Sequence, residues 1–212
     1  MPVTDNLNLA QLGITSGDAW GTKYPTMQTT FISQADYLAL HQNFRTLVLD
    51  QSNNNSVRSQ TTTTLKILNA EITKSVKFIK NYLTEEYGDT AKSYYLAYGF
   101  VFEGKNHTIS KDNDLRMQAL DILVAELSKT NNPFANRKYG LVYWEALRNS
   151  HRDTWTLGKT VDGDRSMGSS NIKTVKEQAK SLQNRLRAQI RVNYPDMYKN
   201  VLRDFGFQSE KY

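Results

Sequence analysis

The chain has 212 residues, a formal net charge of +6 and no cysteine; that length can bury a sizeable core unaided, and the missing thiols exclude disulfide scaffolds, thiolate chemistry and zinc–thiolate sites. The opening MPVTDNLNLAQLGITSGDAW lacks a charged leader and an apolar run, and the longest near-apolar stretch, residues 94–102, is too short to span a bilayer. A cytoplasmic protein with no membrane insertion is therefore expected. Four prolines and helix-period apolar spacing over most of the chain point to an all-α fold and away from a β-sandwich.

Residues 1–32 are polar, with scattered apolar side chains that fit no period. They read as an extended N-terminal arm with Trp20, Tyr24 and Phe31 as docking pegs, set either on the protein's own surface or on a neighbouring subunit. Residues 33–212 then form the helical bundle domain. Ser33 and Asp36 make a capping-box-like opening, followed by an apolar face of Leu40, Phe44, Leu47 and Val48. The polar stretch 51–55 reads as a bend between antiparallel helices, with a continuous polar helix as the alternative. From Ser56 to Tyr87, apolar residues recur every three or four positions (Leu65, Leu68, Ile72, Val76, Ile79, Leu83). At about 1.5 Å per residue this rod implies an elongated bundle. Lys66, Lys74, Lys77 and Lys80 lie on its solvated side.

Gly88 ends the rod, and a small aromatic-rich insertion follows, with a hairpin placed around Gly104. Its rings (Tyr94, Tyr95, Tyr98, Phe100, Phe102) suit a core plug, with a nucleobase-stacking platform as the sharper alternative. Further helices are expected after the caps at residues 110–114 and over residues 138–157, then a flexible link at 158–170. The last two helices run over residues 171–193 and 196–205, with Gly206 as the final stop. The expected fold is an elongated antiparallel bundle of four to five helices.

The helix at 171–193 has two stripes. Ile172, Val175, Ala179, Leu182, Leu186 and Ile190 share a core-facing side, and Lys173, Lys176, Lys180, Arg187 and Arg191 run beside them. Six basic side chains here stand against the single acid Glu177, so this basic edge is the candidate surface for a polyanion or a protein partner.

No motif for chemistry survives inspection. The sequence LGKT at 157–160 lacks the glycine that a phosphate loop requires five places before Gly158, where Asp153 stands. The triplet His151, Arg152, Asp153 lacks the rest of a kinase signature. A calcium loop starting at Asp162 would place Met167 at its glycine and Lys173 at its glutamate. The three histidines are far apart, and none follows a glutamate by three residues. No catalytic residue, metal ligand or cofactor is assigned. The leading expectation is a non-enzymatic structural or interaction protein, a subunit or adaptor of a larger assembly formed with a protein partner or by self-association. Nucleic-acid or other polyanion binding through the basic edge is the alternative, and an enzyme with a dispersed active site is a third reading.

Overall fold

The computed structural model describes residues 3–103 and 106–207. Among these lie five α-helices and one antiparallel pair of short strands: α1 (Val3–Lys23), α2 (Gln34–Tyr87), β1 (Val101–Glu103), β2 (Asn106–Thr108), α3 (Asn113–Leu127), α4 (Leu141–Asn193) and α5 (Tyr198–Asp204). The protein is all-α, with about 80% of the described residues helical when a 3₁₀ run after α2 is included.

Three expectations are corrected. The arm at 1–32 is not extended, since α1 occupies most of it. The bend at 51–55 does not exist, because α2 runs unbroken for 54 residues. The link at 158–170 is likewise the middle of α4, which is 53 residues long and begins at Leu141 instead of 138. One physical reason covers the last two. The Gln51 amide donates to the Arg165 carbonyl (3.3 Å) and to Ser169 Oγ (3.0 Å), and the Arg165 guanidinium donates to Asn55 Oδ1 (2.8 Å). Each stretch looks like a break when read alone, because Asn, Ser and Gly cost a helix up to about 1 kcal/mol per residue. Together they hydrogen-bond each other's side chains, with Gln51 Oε1 left without a partner among the described residues.

The chain divides into two compact units: residues 1–56 with 163–212, and residues 57–162. α1 belongs to the first unit.

In the first unit α1 lies close against the start of α2. Gly13, Gly17 and Gly21 form a bare stripe at four-residue spacing, and a Cβ placed on Gly13 would come within 1.7 Å of the His41 ring. Trp20, Tyr37, Leu186, Ile190, Val201 and Phe205 bury together, and Phe44, Val48 and Ala179 form a second cluster with Ala10. Each large side chain removed from water in this way contributes about 1.5–3 kcal/mol. The entry to α2 is capped as the sequence indicates: Ser33 Oγ accepts from the Asp36 backbone N–H (3.1 Å) and donates to the Asp36 carboxylate (2.6 Å).

In the second unit the periodic residues Leu65, Ile72, Val76, Ile79 and Leu83 are buried. The last four join Leu120, Leu123, Leu127, Phe134 and Trp144 in one core. Gly88, at φ +54°, closes α2 and opens a run of 3₁₀ turns, Gly88–Tyr98. Gly99, at φ +73°, ends that run in the left-handed conformation that L side chains rarely adopt. β1 and β2 then pair with Val101 opposite Thr108 and Phe102 opposite His107. The hairpin is where the sequence places it, although Gly104 itself lies outside the described residues. Tyr95, Tyr98 and Phe100 are buried as a core plug, whereas Tyr94 and Phe102 are exposed. Lys80 departs from its expected solvated position. It donates to the His107 carbonyl and lies near the Tyr95 and Phe100 rings, and burial lowers its pKa. Asp112 caps α3 by accepting from the backbone N–H groups of Asp114 and Leu115 (both 3.0 Å).

Candidate functional site

The stretch 171–193 is the C-terminal part of α4, and its apolar stripe is core: Ala179, Leu186 and Ile190 are fully buried. Gln183 shares that side. It is 2% exposed, and its amide donates to the Leu9 carbonyl of α1 (2.9 Å) and faces His41 Nε2 at 3.2 Å. His41 Nδ1 lies 2.9 Å from the Tyr37 carbonyl, so it carries the ring proton, and Nε2 is left to accept from Gln183. Tyr37 hydrogen-bonds to Ser16 of α1 (2.8 Å). This polar seam joins α1, α2 and α4. Burial lowers the His41 pKa and pushes the Tyr37 phenol up to about 12, so both side chains are neutral near pH 7.

The basic edge divides in two. Lys173, Lys176 and Lys180 gather around a shallow hollow of about 330 Å³ with Asn6, Ser169 and Glu177. Lys176 donates to Asn6 Oδ1 (2.7 Å), which ties the hollow to α1. Lys180 pairs with Glu177 at 3.2 Å, an exposed i,i+3 contact that adds little stability. Lys173 is exposed. Among the described residues that line it, three ammonium groups stand with the one carboxylate of Glu177, a set suited to holding an anion by charge and by N–H donors.

Arg187 is not part of this group. Its guanidinium lies over the Phe207 ring (4.5 Å to the centroid) and donates to Asn184 Oδ1 (3.3 Å), and Nε is buried without a hydrogen-bond partner among the described residues. Its stem and charge serve packing. Arg191 is exposed and lines no part of the hollow.

The three pegs of the N-terminal segment pack on their own chain. Trp20 is 3% exposed, meets Tyr37 edge-on and donates to the Met27 carbonyl (2.7 Å). Tyr24 donates to the Asp204 carboxylate (2.6 Å) and packs against Tyr194 and Phe205. Burial raises its pKa to about 12, with the Asp204 contact adding to the rise. Phe31 lies under the Arg185 guanidinium at 4.1 Å. Sequence reasoning missed Asn6, Ser169 and Gln183 as partners of the basic helix. The signal that could have found them is GxxxGxxxG at 13–21, which marks a close helix–helix approach and so brings α1 to the site.

No described helix is long and apolar enough to cross a membrane. The chain matches no protein-family model, no curated protein and no solved structure.

Proposed function

We propose that the protein is a non-enzymatic interaction protein that engages a polyanion, with nucleic acid as the test case, through the hollow formed by Lys173, Lys176 and Lys180. The single observation that carries this reading is the convergence of three lysines from one helix on a depression floored by Asn6 and Ser169. Phosphate oxygens accept hydrogen bonds from lysine and from amide donors alike, and such contacts are sequence-independent. Fluorescence anisotropy with a labelled duplex at stepped salt tests it. The expected log–log salt slope is about −2 to −3, set by three neutralised phosphates. K173E/K180E should abolish binding, because both side chains are at least partly exposed and neither supports the core. Binding that is absent at low salt, or unchanged in this variant, removes the proposal.

The subunit-of-an-assembly reading draws on a different observation. Leu96 and Phe102 in the second unit, and Val192 in the first, are apolar side chains more than 60% exposed. A partner that covered them would remove a hydration cost at each site. Light scattering across a concentration series tests this version, and a monomer throughout ends its self-assembling form.

A further inference from the structure

A second hollow, in the unit of residues 57–162, involves none of the basic edge. Along α2, Glu71, Lys74, Ser75 and Phe78 are three, four and seven residues apart and therefore share one face. The turn before α4 brings Lys138 and Tyr139 to that face, and the first turn of α4 adds Tyr143. This turn is held firmly. Arg137 forks onto the Glu85 carboxylate (2.9 and 3.1 Å), and Gly140 is packed so tightly that a Cβ there would lie 2.3 Å from the Phe134 carbonyl oxygen. The Tyr139 ring stacks flat on Phe78 (3.7 Å between centroids, 2° between planes), and Tyr143 meets Tyr139 edge-on at 5.0 Å. The resulting hollow measures about 520 Å³, within the range of small-molecule sites.

Its polar groups are ordered. Tyr143 OH donates to Glu71 Oε1 (3.1 Å), so its 2.6 Å contact with Ser75 must be donated by the serine hydroxyl. Burial raises the Tyr143 pKa, which keeps the phenol protonated and removes it as a base for Ser75. Ser75 and Tyr143 are thus held in one fixed hydrogen-bonded chain that ends on Glu71. Lys74 and Lys138 are exposed, line the hollow and make no ion pair with any described carboxylate. The second Glu71 oxygen likewise has no partner among the described residues.

We infer that this hollow binds a small phosphorylated polyol, with its phosphate between Lys74 and Lys138 and a hydroxyl donating to Glu71. A phosphate monoester carries close to two negative charges at neutral pH, which matches two ammonium groups better than one carboxylate would. A nucleotide fits less well. Phe78 and Tyr139 each spend one ring face on the other, which leaves the hollow less aromatic surface for a base.

The test is calorimetric titration of the full chain with ribose 5-phosphate, with ribose, inorganic phosphate and adenosine monophosphate as separate arms. The expected result is one ribose 5-phosphate per chain, bound more tightly than inorganic phosphate, with no binding of ribose. K74A/K138A changes only exposed side chains and should weaken the affinity about tenfold or more, as expected when charge-assisted contacts are lost. E71Q should weaken ribose 5-phosphate binding and leave inorganic phosphate binding unchanged. No binding at millimolar ligand, or affinity unaffected by K74A/K138A, overturns the inference. Adenosine monophosphate binding much more tightly than ribose 5-phosphate overturns the polyol assignment. Because K173E/K180E lies in the other unit, ligand binding that it abolishes belongs to the lysine hollow and also refutes this site.

Discussion

Gly13 has no side chain because the His41 ring fills the space one would need. G13A should destabilise the first unit by about 2 kcal/mol or more, since the ring is held by the Tyr37 carbonyl and by Gln183 and cannot turn aside. Urea denaturation of the two forms checks this. The second buried histidine, His151, lies with Nε2 3.0 Å from Asn69 Oδ1 and Nδ1 against the Met117 sulfur. Burial, reinforced by the Arg116 charge, lowers its pKa to about 4. An unfolded histidine titrates near 6.5, so between that value and about 4 the unfolded chain binds a proton that the native chain refuses. Stability is therefore full above pH 6.5, falls as the pH drops, and has lost on the order of 3 kcal/mol from this residue by pH 4. His41 acts in the same direction. Replacing His151 by Gln should flatten that part of the stability curve, measured by denaturation at stepped pH. The sequence shows that these histidines are far apart along the chain. Their burial was not readable, because it depends on partners 82 and 142 positions away.

At the scale of elements, the glycines of α4 separate cleanly. Gly163 has open space where a Cβ would stand, so G163A should stabilise by about 0.5–1 kcal/mol through the entropy a glycine loses on folding. At Gly168 the same change would place a Cβ 2.5 Å from Gln51 Oε1, and the shift this forces should offset the gain. Thermal melts of the two variants should differ by that margin, with G163A the higher. These positions also show why the sequence was legible in some places and opaque in others. Leu65 to Leu83 carry a period strong enough to specify their helix locally, and Ser33, Asp112, Gly88 and Gly206 mark boundaries by chemistry that acts within three or four residues. The stretches 51–55 and 163–170 hold no such period. Their helicity rests on side-chain pairing across more than a hundred residues, which no local window contains. The same limit applies to the candidate site. The three lysines of the hollow could be picked out from their spacing, but Arg187, on the same stripe, turns to Phe207 for reasons that lie in the fold.

For the molecule as a whole, the three clusters of buried side chains each fall within one unit and share no residue. Destabilisation of one core should therefore be felt first in that unit. In G13A, amide hydrogen exchange should speed up at α1 and around Leu186 and Ile190, while the amides near Leu120 and Leu123 keep their protection. Uniform loss of protection would mean that the two units open as one. The pairing of Tyr24 with Asp204 spans 180 positions of sequence, whereas the second unit is a single uninterrupted segment. During synthesis residues 57–162 can therefore collapse on their own timetable, while α1 meets the start of α2 early but gains Leu186, Ile190 and Phe205 only once the later part of the first unit has emerged. That interval is when a holdase would have most to shield.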